Sequence, residues 1–137
     1  VISVWGAGRV GMHLAPRGDS HTMGDSDPAA TFGYVAKELG KRQIAFIFTR
    51  EHFNEPTLTP MLKQAFGGTF IANEQFTADS AHQVLNDGHA DAIAFGKQFI
   101  ANPDLVNRLK LKAPFNELRT DKMYAAGAEG YTDYPFL

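Results

Sequence analysis

The sequence contains no cysteine, which excludes disulfides, thiolate metal sites and cysteine nucleophiles and leaves any redox chemistry to a bound cofactor. No apolar run approaches the roughly 20 residues that a helix needs to cross a bilayer. The opening Val1-Ile2-Ser3-Val4-Trp5 lacks the charged start and apolar middle of a secretion signal, so a cytoplasmic location is the expectation. Basic charge is not in excess: 13 Lys and Arg against 15 Asp and Glu leave a formal charge of −2. Without a basic stripe to meet a phosphate backbone, nucleic acid is not an expected partner. The histidines, at 13, 21, 52, 82 and 89, fall at no zinc-helix spacing, and no metal is expected. Glycine and proline are scattered rather than gathered into a linker, so residues 1–137 read as one domain without an internal boundary. The chain opens on Val1 rather than Met, which fits either a piece of a longer chain or removal of an initiator.

What is present is a regular alternation. Short apolar runs at Val10–Ala15, Ile44–Phe48, Thr69–Ala72 and Ala92–Phe95 suit strands of a parallel sheet. Helical patterns lie between them. Asp27-Pro28 predicts an N-cap and first helical residue, with Phe32, Val35, Ala36 and Leu39 on one face and Gly40 as a left-handed stop. Thr57 or Thr59 opens a second helix through Leu58, Leu62, Ala65 and Phe66, closed by Gly67-Gly68. Thr77 caps a third through Ala81, Val84 and Leu85, closed by Gly88, and Asn102-Pro103-Asp104 starts a fourth with Leu105, Val106 and Leu109 buried. In sequential order the four strands would carry helices on one side and leave the second face and both edges uncovered. Two solutions remain open: a doubly wound sheet with reversed strand order, or half of an eight-stranded barrel completed by another polypeptide.

Gly6-Ala7-Gly8-Arg9-Val10-Gly11 matches the dinucleotide fingerprint, yet only Met12-His13-Leu14-Ala15 precede Pro16, too little for the helix that fingerprint opens. The preferred parse ends a helix near Trp5 and begins a strand at Val10. Loops after parallel strands carry function in such folds. Ala72-Asn73-Glu74-Gln75-Phe76 and Gly96-Lys97-Gln98-Phe99 are two of them: Gly96 admits a ligand to the backbone, Lys97 supplies positive charge, and main-chain N–H groups near helix starts can face an anion. The plainer reading is a turn glycine and a solvated lysine. His13 is either a hydrogen-bonded core group or a side chain in the crevice, while His82 and His89 read as surface residues. His52, in Arg50-Glu51-His52-Phe53-Asn54-Glu55, belongs to a lid or a simple connector. The tyrosines of Met123–Phe136 fit either a cofactor ring or a packed tail.

Three stretches carry a resemblance: Arg9-Val10-Gly11-Met12-His13-Leu14-Ala15-Pro16, Ala94-Phe95-Gly96-Lys97-Gln98-Phe99-Ile100-Ala101-Asn102-Pro103-Asp104-Leu105 and Ala128-Glu129-Gly130-Tyr131-Thr132-Asp133-Tyr134-Pro135. Together they resemble the C-terminal part of bacterial old yellow enzymes, FMN-dependent ene-reductases related to N-ethylmaleimide reductase. The resemblance implies a TIM (β/α)8 barrel of which this chain is the C-terminal half-barrel, βα units 5 to 8 plus the closing tail. It also implies that Glu74, Gln75, Gly96 and Lys97 hold the FMN phosphate, that His13 lies near the flavin, and that Tyr124, beside Met123, approaches flavin and substrate. Two positions depart from the family pattern. Arg is frequent at position 97, where Lys keeps the charge without the fork, and usual at position 13, where His carries full charge only when protonated.

The implied reaction has two halves, hydride from NAD(P)H to FMN and then from FMN to the β-carbon of an electron-poor alkene such as an unsaturated carbonyl or nitro compound. The family's carbonyl-binding pair and its proton-donating tyrosine belong to the N-terminal half, so no catalytic residue is assigned here. The expected partner is that complementary half-barrel or another copy of the chain. The competing reading is a non-catalytic module, a phosphate-ligand binder or a self-assembling half-barrel.

Overall fold

The computed structural model describes residues 1–18, 22–52 and 56–137. His21 and residues 53–55 of the lid-or-connector stretch lie outside the described residues. The chain begins with a single helical turn, α1 (Ile2–Trp5), and a 3-10 turn at Ala7–Arg9 before extending into β1 (Gly11–Leu14). Helix before the glycines and strand after them is the reverse of what a dinucleotide loop needs, so the fingerprint match is coincidental.

Then follow α2 (Pro28–Lys41), β2 (Phe46–Arg50), α3 (Thr59–Phe66), β3 (Thr69–Asn73), α4 (Ala78–Asn86), β4 (Ala92–Ala94), α5 (Lys97–Ala101) and α6 (Leu105–Leu111). The second strand starts two residues later than the apolar run suggests. The reason is a turn: Ala45 N–H donates to the carbonyls of Ala7 and Val10, leaving Ile44 as a buried residue below the sheet edge. The four strands are parallel and ordered β1-β2-β3-β4. That sequence-order sheet removes the doubly wound alternative, which requires a reversal.

Register sorts the strand residues onto two faces. Met12, Ile47 and Phe70 align in one row and Leu14, Thr49 and Ala72 in the next. Ile47, Thr49, Phe70 and Ala72 are buried, and Ile47 and Phe70 join Ala36 of α2 and Leu62 and Phe66 of α3 in the core. The opposite face carries Gly11, Phe46 and Thr69, then His13, Phe48 and Ile71. There Gly11, His13, Phe46 and Thr69 are exposed. Among the described residues β1 pairs only with β2 and β4 only with β3, so both edges of the sheet are unpaired. Among them, too, no helix is long and apolar enough to cross a membrane.

The helix ends show what local chemistry decides. Asp27 accepts from Ala30 N–H at 3.0 Å with Pro28 as first residue, as its sequence predicts. Thr77 and Ser80 form a reciprocal capping box at α4. Gly67, at φ +70, closes α3. Gly40, expected as a left-handed stop, is instead inside α2, which runs on to Lys41; a Cβ at that position would collide with the Phe66 carbonyl. It is a glycine of close approach between α2 and α3 rather than of turning. Neither Thr57 nor Thr59 is the N-cap of α3. That residue is Leu58, and the capping oxygens come from Glu51.

The chain divides into two compact units, Val1–Ala94 and Phe95–Leu137. In the second, Val106 is exposed rather than buried, and Arg108 takes the inward position on α6. Its guanidinium is satisfied there by Asp104 at 2.7 Å and by the carbonyls of Pro114 and Pro135 at 2.8 and 3.0 Å. Leu85 of α4, in the first unit, is likewise exposed rather than buried, its neighbours Ala81 and Val84 providing the buried edge.

Candidate functional site

The carboxyl ends of parallel strands face a common crevice in folds of this class, and the first unit concentrates its polar chemistry there. After β3 the backbone passes through two successive residues in the left-handed half of conformational space, Glu74 at φ +111 and Gln75 at φ +56. Neither is glycine, and each such residue costs about 1–3 kcal/mol, a strain that collects at ligand clamps. Arg50, the last residue of β2, lies across from Asn73 in the register and donates from Nε and Nη2 to Glu74 Oε1 at 3.2 and 3.1 Å. His52 Nε2 is 3.0 Å from Gln75 Nε2 and 3.9 Å from the same Glu74 oxygen. Asn73 Nδ2 donates to the Ala94 carbonyl at 2.7 Å and ties the ends of β3 and β4 together. Arg50 escaped the sequence reading. A cation ending an otherwise apolar strand was the available signal.

Beneath this cluster Glu51 is almost fully buried. Its carboxylate receives Leu58 N–H and Thr59 N–H, the hydroxyls of Thr57 and Thr59, and Arg17 Nε from the loop after β1. One charge therefore caps α3 and fastens two strand-end loops to each other.

His13 settles on the open face of the sheet, not in the core. Its ring meets Phe48 edge to face, centroids 4.6 Å apart and planes at 84°. Gly11, His13, Phe46 and Phe48 line a shallow depression of about 370 Å³ on that face. A larger one, about 670 Å³, is bordered by Lys63, Thr69, His89 and Asp91, at the opposite ends of the strands from the polar cluster. His89 is half-buried and its Nδ1 has no partner among the described residues, a departure from the surface role expected of it.

In the second unit Gly96 precedes α5 and Lys97 is its first residue. Both are exposed, nothing lies within 4 Å of where a Gly96 Cβ would project, and Lys97 forms no ion pair among the described residues. α5, a five-residue helix, was not anticipated. At the start of α4 the N–H groups of Thr77 and Ser80 are taken up by each other's hydroxyls. Met123 is buried and Tyr124 is 78% exposed. The tail is held by Tyr134: its hydroxyl accepts from Arg119 N–H at 2.8 Å, and the Arg119 guanidinium stacks 4.8 Å above its ring while pairing with Asp133. Burial acts to raise the Asp133 carboxyl, but the Gly130 N–H and Arg119 together hold it below its ordinary value. Among the described residues no group of three potential ligands could hold a metal ion.

Residues 1–116 match the NADH:flavin oxidoreductase / NADH oxidase family. The chain belongs to that family. The relatives are old yellow enzymes, in agreement with the resemblance carried by the three stretches. A putative 12-oxophytodienoate reductase 3 of Oryza sativa subsp. japonica is 38% identical over the whole chain, and 12-oxophytodienoate reductase 2 of Arabidopsis thaliana is 36% identical over 96% of it. In each case the chain covers 38% of the relative. Among solved structures, morphinone reductase matches the whole chain with a TM-score of 0.92 and 37% identity, the chain covering 38% of it. The old yellow enzyme homologue from Zymomonas mobilis matches 99% of the chain at 0.93 and 36%, with 41% of its own length covered. This member of the NADH:flavin oxidoreductase family thus spans about two fifths of the proteins it resembles.

Each unit offers features of its own that suit an anion such as a flavin phosphate. In the first, the Glu74–Gln75 turn has its carboxylate already paired with Arg50; in the second, Gly96 leaves open space at the main chain and Lys97 is an unpaired cation among the described residues.

Proposed function

We propose that the chain is the C-terminal half of the (β/α)8 barrel of an FMN-dependent, NAD(P)H-consuming ene-reductase, and that it turns over only with the remaining strands. The observation that carries this reading is the sheet: four parallel strands in sequence order, one face buried under α2 and α3, the other exposed, and both edges unpaired. Such a wall is half of a closed barrel, whose interior is filled by side chains from alternate strands. The coverage of about two fifths in the relatives supports it. The complementary half-barrel is the partner.

In this reading the main chain at Glu74, Gln75 and Gly96 and the ammonium of Lys97 hold the FMN phosphate. His13 presents a ring N–H to the flavin from the open face, and Tyr124 stands at the flavin and substrate. When bound, FMN supplies transfer of hydride from NAD(P)H to the β-carbon of an electron-poor alkene. A related morphinone reductase has been seen in complex with tetrahydroNAD, which supports a nicotinamide reductant. The work of this chain is binding and orientation, and the groups that polarise the alkene and return a proton come from the other half.

The test is reconstitution. Purified alone, the chain is expected to bind flavin only weakly and to lack NADPH-dependent reduction of an α,β-unsaturated carbonyl compound; mixed or co-expressed with the N-terminal portion it should retain yellow flavin through gel filtration and acquire activity. Turnover by the isolated chain would overturn the claim that it is incomplete. A stable symmetric oligomer that takes up no flavin would favour a self-assembling scaffold.

A further inference from the structure

The Glu74–Gln75 turn contains a contradiction. If its main chain receives a phosphate, the carboxylate of Glu74 adds a negative charge at the place least suited to one, and like charges brought together oppose binding. We propose that Arg50 is a positioning residue for the phosphate end of the flavin site: it binds the Glu74 carboxylate so that the turn meets the anion without a net negative charge. The inference rests on the FMN reading above and deepens it.

Several observations support the assignment. Arg50 Nε and Nη2 converge on one oxygen, Glu74 Oε1, at 3.2 and 3.1 Å, so the guanidinium is committed to this carboxylate rather than grazing it. The pairing follows from the fold, since the register sets Arg50 beside Asn73, one residue before Glu74, and the parallel strands end at the same level. The backbone strain at φ +111 and +56 fixes where these side chains depart from the turn. The Glu74 side chain is about one-fifth exposed against more than half for Arg50, so the carboxylate is the less hydrated partner and gains most from neutralisation. His52 adds a ring nitrogen against Gln75 and completes the cluster from the same strand end. Arg50 forms no other ion pair among the described residues.

The test titrates FMN and riboflavin into the 15N-labelled 137-residue chain and follows the amide resonances of Glu74 and Gln75, which report weak binding. FMN should move both amides and riboflavin should scarcely do so. Arg50→Gln should weaken FMN about tenfold and riboflavin less than about twofold, while Arg50→Lys should recover most of the loss. Glu74→Gln should bind FMN at least as tightly as the parent. In that background Arg50→Gln should be nearly silent, the double variant lying within about threefold of the parent. A double variant as weak as Arg50→Gln alone would mean that Arg50 touches the phosphate itself, and equal losses for both flavins would mean a general structural role; either overturns the proposal. Should Arg50→Gln fail to fold, Glu74→Gln decides: weaker FMN binding than the parent overturns the proposal, equal or tighter binding supports it. Amides in the parent that ignore FMN overturn the phosphate reading beneath it, a result distinguishable from all the others.

Discussion

The buried carboxylate of Glu51 accepts the main-chain N–H of Thr59 at 2.9 Å and the hydroxyl of the same residue at 2.7 Å. A residue at the end of a strand thus caps the helix that follows it. With Leu58, Thr57 and Arg17 as further donors, removal of the charge strands several polar groups at once. Glu51→Gln should lower stability by about 2 kcal/mol, because an amide leaves some of these buried donors without an acceptor. Chemical denaturation of the purified chain measures it; a change under about 0.5 kcal/mol, the range of an ordinary surface substitution, would show that the carboxylate is dispensable.

Gly40→Ala reverses the usual expectation for a helix interior. Alanine there ordinarily gains about 0.5–1 kcal/mol, but at this position the added Cβ runs into the Phe66 carbonyl oxygen, a main-chain atom that cannot swing aside. The melting temperature should fall. A rise would mean that α2 and α3 have more clearance than the structure shows.

Lys97→Ala should loosen FMN about tenfold or more in the assembled enzyme while leaving riboflavin nearly unchanged, because only FMN carries the anion that the ammonium meets. Lys97→Arg should hold FMN at least as well, since it restores the bidentate fork. Flavin released on gel filtration, read by fluorescence, distinguishes these cases, and equal loss of the two flavins would place the phosphate elsewhere.

Acid should destabilise the chain through carboxylates that the fold keeps ionised. The Arg108 guanidinium holds the Asp104 carboxyl below its ordinary 3.8; burial opposes the shift and the Leu137 N–H assists it. Lys63, at 2.7 Å, does the same for Asp91, helped by Phe70 N–H against the effect of burial. Because the folded values are the lower ones, the unfolded chain takes up protons first. The stabilisation is therefore complete above about pH 4 and is lost as pH falls through the folded values. Melting temperatures at pH 7, 4 and 3 should decline across the last interval. Asp104→Asn should flatten that decline, and an unchanged slope would remove Asp104 from the account.

Much of the fold was legible because its signals are local. Asp27-Pro28, the pair Thr77 and Ser80, and Gly67 act on backbone groups within a few residues of themselves, and the structure puts each to its expected use except that Ser80 completes the box. Failures came where the decisive partner is remote in sequence. Gly40 looked like a stop because its neighbour Phe66 is invisible from residues 36 to 44. Thr57 and Thr59 looked like caps because Glu51, which supplies the oxygens, precedes a connecting loop. Hydrophobicity points Val106 inward, whereas Arg108 wins that position through Asp104 and two carbonyls that only tertiary folding delivers. Lys97 and Glu74 stand out as candidates by their places in loops after strands. Arg50 is visible as a cation ending an apolar strand, but its pairing with Glu74 is not, since that depends on the register of β2 against β3.

The contact between Gly40 and the Phe66 carbonyl sets a hard minimum on how near α2 can settle over α3. Ala36 and Leu62, both wholly inaccessible, belong to the same core as Phe66. Trimming Leu62 to alanine would therefore hollow the interior without letting the two helices slump inward, and a small apolar guest such as xenon should lodge in the vacated volume.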